Sequence, residues 1–288
     1  MNDNTLTKYL EDHYTQATAR AYGREIAHYL QRHPGAGEYR YLRILDYIGE
    51  CRSQHHNPQT VNRILASVKV YYDWLCHSGQ RRDHPAGSIR LRDNRHKDVQ
   101  LQDLFKPEEL EGLLERKNRY ADLLTRNQVV ISLLIDQGLL LGEMTGLRTA
   151  DVRLKEGTIY IKGTPRTNAR TLPLKPRQIM LLHTYMIRER PRLLQEKTDA
   201  LILTKLGMAE RGEGIYYLVS TYQDLFPDRS LTPQTIRQSV ITNLLKQGHD
   251  LRVVQTFAGH KYPSATERYR QSQIEELKAA VQKYHPFG

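Results

Sequence analysis

The chain has 288 residues, a length that favours two domains over a single core. Hydrophobic residues make up 39% and charged residues 26%, as in soluble globular proteins, and no apolar run approaches the roughly 18 residues of a membrane span. Forty-three Lys and Arg against 32 Asp and Glu give a net charge of +11, which favours a polyanionic partner, nucleic acid before an acidic membrane surface. Two cysteines are too few for a disulfide framework or a four-ligand zinc site, so a reducing cytoplasm is expected.

The N-terminal part of the chain predicts a helical domain over 1–90. Apolar residues recur at helical spacing between Thr18 and Leu30, and His33–Gly37 predicts a turn. Asn57-Pro58-Gln59 predicts the start of a long helix that runs through Leu75. The stretch that follows is polar and basic, and we expect an interdomain linker at 91–104, with Arg95 and Lys97 as candidate DNA contacts.

A second domain is predicted at 105–288. Val129–Leu141 is the most apolar stretch and predicts a buried helix. Alternating residues from Thr158, a Gly163-Thr164-Pro165 turn and a return strand at Arg170–Leu174 predict a β-hairpin. The fold class is therefore mainly α with a small hairpin or sheet in the C-terminal domain. Further helices are predicted at 176–194, 232–247, 251–258 and 264–284.

The strongest pattern in the sequence lies between Leu231 and Arg270. Pro233 precedes Gln234-x-x-Arg237, Leu244-Leu245 ends the predicted helix, Gly248 follows, and Ala258-Gly259-His260 comes nine residues before Tyr269. This order resembles the C-terminal boxes of the tyrosine recombinase (phage integrase) family, which run proline, His-x-x-Arg, Leu-Leu, Gly, Leu-Gly-His and then tyrosine.

The resemblance to this family extends over nearly the whole chain. The segment from Gly138 through Glu143 and Leu147 to Asp151 is similar to the first box, usually Gly-Leu-Arg-x-x-Glu-Leu-x-x-Leu-x-x-x-Asp-Ile. In the first domain, Asn57-Pro58-Gln59-Thr60 and His84-Pro85 are similar to the core-DNA-binding domain of Xer-like members.

Membership would imply both a fold and an activity. The expected fold is a two-domain clamp, with a small helical SAM-like N-domain and an α+β catalytic domain that hold double-stranded DNA. The expected activity is site-specific strand cleavage and rejoining through a phosphotyrosyl intermediate. Two arginines would hold the phosphate bidentately, and His and Lys would move protons; the family requires no metal and no cofactor.

Carried over residue by residue, the resemblance assigns a catalytic set that is incomplete. Tyr269 matches the nucleophile, Arg237 a phosphate-binding arginine, and His260 a proton-transfer group. The first-box arginine aligns with Leu140, which can neither donate a hydrogen bond nor offset charge. The second-box histidine aligns with Gln234, a hydrogen-bond donor that cannot shuttle protons.

The hairpin lysine has two candidate positions. Lys162 precedes a glycine, as the family lysine does, but alignment backwards from Pro173 puts Thr164 there instead. Arg148, in Thr145-Gly146-Leu147-Arg148, looks like the missing first-box arginine, although placing it there destroys the spacing of the other first-box residues. Candidate DNA contacts on these segments are Lys162, Arg166, Arg170 and Arg148.

The polar run Ser264–Arg268 predicts that Tyr269 lies at a surface cleft, with Tyr262 as the other tyrosine of the box.

From the resemblance we expect a bacterial, nucleoid-associated cytoplasmic recombinase of a mobile genetic element. It would act as a tetramer on DNA, with a C-terminal helix at Ile274–Tyr284 exchanged between subunits. The alternatives are a catalytically lapsed relative that binds DNA as an accessory or regulatory protein, in a hetero-oligomer with an active recombinase, and a basic helical scaffold without a DNA role.

Overall fold

The computed structural model describes residues 3–55, 57–91, 104–116 and 123–270. The chain divides into two compact units, 1–96 and 97–288. Only the first and last residues of the predicted linker 91–104 are described, so Arg95 and Lys97 lie outside the described residues, as does the predicted C-terminal helix at 274–284. No helix in the described part of the chain is long and apolar enough to cross a membrane.

The first unit is helical, as predicted. The predicted start of its longest helix is confirmed: Pro58 occupies the first turn, and the Asn57 side chain accepts the backbone N–H of Gln59 at 3.0 Å. At its core, the hydroxyl of Tyr72 donates to the Ala36 carbonyl at 2.7 Å. The helices are α1 (Asp3–His13), α2 (Gln16–Arg32), α3 (Tyr41–Gln54) and α4 (Pro58–His77).

The second unit combines helices with a three-stranded antiparallel sheet of order β1-β2-β3. The predicted hairpin is confirmed: β2 pairs with β3, with Ile159 opposite Leu172 and Ile161 opposite Arg170. The strands are β1 (Val152–Arg153), β2 (Thr158–Ile161) and β3 (Arg170–Pro173). Strand β1 and helix α10 were not predicted from the sequence, because one is two residues long and the other has two glycines in its first turn.

The helices of this unit surround the predicted buried helix. It is confirmed as α6, but it ends at Gln137 because Gly138 adopts a left-handed conformation at φ +58°. A π-helical turn at Tyr185–Glu189 joins α8 to α9. A last helix begins at 263 and continues to 270, the end of the described residues. The remaining helices are α5 (Pro107–Gly112), α6 (Leu124–Gln137), α7 (Leu141–Thr145), α8 (Pro176–Thr184), α9 (Arg190–Leu193), α10 (Gly212–Ser220), α11 (Pro233–Lys246) and α12 (Leu251–Ala258).

Candidate active site

A buried charged centre, formed by Glu143, Arg170 and Arg237, lies where α7, β3 and α11 meet. The Glu143 carboxylate accepts Arg170 Nη1 at 2.7 Å and Nη2 at 3.1 Å, and both side chains are at least 97% buried. Glu143 also accepts the Thr167 hydroxyl at 2.8 Å and the Leu140 N–H at 3.0 Å. Burial alone raises the pKa of Glu143, but the bonds and charge of Arg170 outweigh it, so the pKa lies below its usual range. The carboxylate therefore stays ionised inside the domain.

Arg237 extends from α11 into the same centre. Its Nη1 donates to the Gly138 carbonyl and its Nη2 to the Ala258 carbonyl, both at 2.6 Å. Glu143 Oε2 lies 3.8 Å from Nη1, and the guanidinium is 96% buried. Burial lowers the pKa of Arg237, but a guanidinium still remains charged at neutral pH. The centre thus holds two cations against one anion, with a net positive charge.

His260 lies beside this positive charge. Its Nδ1 is 2.8 Å from the hydroxyl of Thr266, a side chain without solvent exposure. Burial lowers the pKa of His260 to about 4, with smaller contributions from the charges of Arg237 and Arg170. The imidazole is consequently neutral at pH 7 and has a lone pair available to accept a proton.

Tyr269 stacks on His260. The two rings are nearly parallel, at 10°, with centroids 6.2 Å apart. The tyrosine packs against Ile241, Val254 and Ala258 and is only 7% exposed. Burial raises the pKa of Tyr269, opposed by the charges of Arg237 and Arg268. In this arrangement the phenol is protonated.

The expected surface position of Tyr269 is therefore wrong. Residues three apart on a helix share a face, and Thr266 and Tyr269 both point into the domain, whereas Ser264 faces solvent. The prediction took the whole segment as exposed because its residues are polar. Only one face of the helix is exposed, and Tyr269 lies on the other. Tyr262, the alternative tyrosine, is 71% exposed and lies outside the helix.

An open groove of about 600 Å³ lies on the solvent side of the buried charged centre. Leu140 and Gln234, the two positions that depart from the family pattern, both line it, together with Arg166. Leu140 is half-buried, whereas Gln234 and Arg166 are exposed. Other lining residues include Glu143, Thr164, Tyr216 and Thr232. Arg237, His260 and Tyr269 are not among the described residues that line the groove.

The tip of the β2–β3 hairpin lines the groove, and hydrogen bonds join it to Glu143 and to Gly259. The Thr164 hydroxyl accepts the N–H groups of Arg166 at 3.2 Å and Thr167 at 3.1 Å. Thr167 is bonded to Glu143 of the first box, and Asn168 donates its N–H at 2.7 Å to the carbonyl of Gly259, in the Ala258-Gly259-His260 segment. The tip therefore has a defined conformation although it faces solvent.

Of the other residues predicted to contact DNA or to replace the hairpin lysine, some line the groove and others do not. Lys162 is exposed directly after β2, but it is Thr164, the alternative position, that lines the groove. Arg148 lies outside the groove lining and pairs with Asp199 at 3.1 Å, both side chains being more than 60% exposed.

The prediction that Arg170 contacts DNA is contradicted by its burial. Strand residues two apart share a face, so Arg170 points inward with Leu172, and its guanidinium binds Glu143. The prediction had treated Arg170 as exposed, together with Lys162 and Arg166. Gly259 also packs closely against this guanidinium: a Cβ at position 259 would lie 2.5 Å from Arg170 Nη1.

Comparison with known proteins identifies the fold and the family. A model of the phage integrase family matches residues 104–276, more than half of the chain. The chain belongs to this family. Among its relatives is the tyrosine recombinase XerD of Ralstonia nicotianae, 29% identical over 97% of this chain and 92% of that protein. The tyrosine recombinase XerC of Lactobacillus leichmannii is 30% identical over 79% of this chain and 77% of that protein.

Solved integrase-family structures share the fold. The XerH site-specific recombinase bound to a palindromic difH substrate, in a post-cleavage complex, superposes with a TM-score of 0.72 at 21% identity, covering 92% of this chain and 79% of that one. A lambda integrase dimer bound to a COC′ core site gives a TM-score of 0.70 at 12% identity, covering 92% and 76%. The predicted fold class and the predicted Xer-like membership are both confirmed.

Proposed function

We propose that this integrase-family protein is a site-specific DNA strand transferase with Tyr269 as its nucleophile. The observation that carries the proposal is the meeting of Arg237, His260 and Tyr269. The tyrosine ring stacks on the histidine, and the arginine binds the Ala258 carbonyl two residues before that histidine. A nucleophile, a neutral base and a fixed cation in one place are what phosphodiester cleavage requires.

The proposed reaction exchanges one phosphorus–oxygen bond for another. The Tyr269 oxygen bonds to phosphorus while the bond from phosphorus to the 5′ oxygen breaks. The 3′ end then remains as a phosphotyrosyl ester, and a 5′-hydroxyl leaves. The phenol loses its proton and the leaving oxygen gains one. Attack of a 5′-hydroxyl on the ester reverses both changes and rejoins the strand.

The proton and charge requirements assign roles to the neighbouring side chains. His260 is neutral at pH 7, so its ring has a lone pair for the phenolic proton; burial lowers its pKa to about 4, which makes it a weak base in this arrangement. Arg237 uses two N–H groups on backbone carbonyls, and its positive charge favours the phenolate of Tyr269. Lys162, exposed after β2, remains the proposed donor to the leaving oxygen.

The buried position of Tyr269 adds a conformational step to the proposal. The residue is only 7% exposed, and its ring packs inside the domain against Ile241, Val254 and Ala258. We propose that this is the resting arrangement, and that DNA binding moves the helix at 263–270 so that the hydroxyl reaches a phosphate in the groove beside Gln234.

The substitutions at Leu140 and Gln234 keep the lapsed, DNA-binding relative as a second candidate. Both side chains line the groove, where the family pattern has an arginine and a histidine. Removal of one transition-state donor costs about 10²- to 10³-fold in rate. Double-stranded DNA is the proposed partner in either case. Action in the cytoplasm, near the nucleoid and for a mobile element, and assembly as a tetramer or with an active recombinase also remain proposals.

A covalent-capture experiment separates these two candidates. The protein is incubated with nicked duplexes from the DNA that flanks its gene, so that the cleaved strand end diffuses away and the adduct accumulates. We expect an adduct with the wild type and none with Tyr269→Phe, which lacks only the nucleophilic oxygen. Duplex affinity should change less than about twofold, because duplex affinity depends mainly on the Lys and Arg side chains that neutralise phosphates, and the phenol is neutral.

Tyr262→Phe is the matched control, because Tyr262 is 71% exposed and sits in the same box. It should form the adduct at the wild-type rate. Loss of the adduct in Tyr262→Phe with retention in Tyr269→Phe would move the nucleophile to position 262. Duplex binding without any wild-type adduct would contradict the strand transferase and support the accessory DNA-binding protein.

A further inference from the structure

Position 140 leaves the groove without the cation that the family pattern places there. Leu140 supplies an aliphatic side chain, and Gln234, which also lines the groove, is neutral. Glu143, which also lines the groove, brings a carboxylate that would repel a phosphate if it were not bound to Arg170. A phosphodiester in this groove therefore needs a positive charge from another element.

Arg166 is the only basic residue among the described residues that line the groove. It is exposed, and within the described part of the chain no acidic side chain pairs with it. The other two arginines of the site differ, because Arg170 binds Glu143 and Arg237 binds two carbonyls. Arg166 is thus the guanidinium whose donors remain open to a ligand.

The backbone of Arg166 is positioned by the hairpin tip. Its N–H donates to the Thr164 hydroxyl at 3.2 Å, and Thr164 and Thr167 are linked through hydroxyl groups 2.9 Å apart. The Thr167 hydroxyl in turn donates to Glu143. Only the Arg166 side chain has to be ordered when an anion binds, which reduces the entropic cost of the contact.

We propose that Arg166 binds the phosphate in this groove and supplies, from the hairpin tip, the guanidinium that position 140 lacks. The catalytic part of this inference rests on the proposed strand-transfer function, whereas the phosphate contact does not. A planar guanidinium offers two parallel N–H donors to the non-bridging oxygens of a phosphodiester. In this chain the guanidinium comes from the hairpin, whereas the family pattern places it at position 140, directly before α7.

The phosphate contact is tested by titration of the full chain with inorganic phosphate, followed by NMR of the backbone amides of Thr164, Arg166 and Thr167. Arg166→Ala should weaken phosphate binding at least about tenfold, and Arg166→Lys, which keeps the charge but loses the fork, about threefold. Arg153→Ala is the matched control: Arg153 is also an exposed arginine of the sheet region, paired with Glu156 away from the groove. It should change the affinity less than about twofold.

The catalytic contribution is tested in the covalent-capture assay. Arg166→Ala should slow adduct formation at least about 10²-fold. Adding Leu140→Arg to Arg166→Ala should raise the rate of adduct formation at least about tenfold, because a guanidinium then enters the groove from position 140. Since Arg166 is exposed at a hairpin tip, Arg166→Ala and Arg166→Lys keep the fold and the test does not depend on how well Leu140→Arg folds.

The phosphate titration and the covalent-capture assay can each contradict the proposal independently of the other. Equal phosphate affinity in the wild type and Arg166→Ala would overturn the contact, whatever the adduct assay shows. A wild type that binds phosphate through Arg166 but forms no adduct would leave the contact standing and remove the strand-transfer function. An adduct rate unchanged in Arg166→Ala would overturn the catalytic contribution of this residue.

Discussion

The buried charged centre and the groove meet at Glu143 but are built in opposite ways. In the centre, Arg170 and Arg237 donate to a carboxylate and to backbone carbonyls, so their donors are largely used by the protein itself. In the groove, Arg166 and Gln234 are exposed and line open space. The centre therefore contributes mainly to the fold and to the local potential, whereas discrimination between ligands falls to the groove.

The largest expected difference between these regions is in stability. Glu143→Gln keeps the shape of the side chain but leaves two buried guanidinium groups without an anion. We expect the free energy of unfolding to fall by about 3–5 kcal/mol, the usual cost of breaking a buried ion pair. Urea unfolding followed by circular dichroism measures this change.

Gln234→Ala is the matched substitution on the groove side. Gln234 is exposed, so the free energy of unfolding should change by less than about 0.5 kcal/mol. Similar losses in the two variants would contradict the division of the site into a structural centre and an open groove.

A smaller loss of stability is expected from a substitution at Gly259, which lies against the Arg170 guanidinium. Gly259 has φ +69°, and a Cβ there would lie 2.5 Å from Arg170 Nη1. Gly259→Ala should lower the free energy of unfolding by about 2 kcal/mol, the sum of a left-handed alanine and a displaced guanidinium.

Gly248→Ala isolates the backbone contribution, because Gly248 has φ +84° with no atom within 4 Å of its Cβ position. Its cost should be about 1 kcal/mol. If Gly259→Ala cost no more than Gly248→Ala in thermal unfolding, the guanidinium would be able to move freely, and the centre would be looser than its contacts indicate.

The smallest expected effect is the pH dependence contributed by His260. Burial lowers its pKa to about 4 in the folded state, below the unfolded value of about 6.5. The unfolded chain therefore binds more protons between these values, so this residue makes the protein less stable as pH falls from about 6.5 towards 4. Above pH 7 it contributes no slope.

Comparison of the wild type with His260→Gln measures this contribution. Between pH 7 and pH 4.5, the wild type should lose on the order of 1 kcal/mol more unfolding free energy than the variant does. Full burial would give a larger loss, but the ring of His260 is partly exposed. A wild type and variant with identical pH profiles would mean that His260 titrates normally and is not enclosed by the positive centre.

Much of the fold could be predicted from local pattern. The hairpin follows from alternation around a Gly-Thr-Pro turn, and α12 has the predicted bounds, 251–258, because Asp250 caps its start and Gly259 ends it. These signals act over a few residues and depend little on the rest of the chain. Helix α10 lacked such a signal, although it brings Tyr216 to the groove.

The errors in the site came from treating charged segments as uniformly exposed. The period of two along β3 places Arg170 on the face of Leu172, a signal that was present in the sequence and was outweighed by the charge of the arginine. The pairing of Arg170 with Glu143, 27 residues earlier, depends on tertiary contacts that no local pattern encodes. The same holds for the proximity of Arg166 to Leu140.

The two carbonyls that Arg237 binds belong to helix ends: Gly138 ends α6, and Ala258 is the last residue of α12. Carbonyls at helix C-termini carry partial negative charge, so one guanidinium acts as a shared C-cap for both helices. Selection for folding alone would preserve this arginine in a copy that no longer cuts DNA. Because the ring of Tyr269 is also buried, we expect that among decaying relatives phenylalanine replaces this tyrosine before the arginine at position 237 is lost.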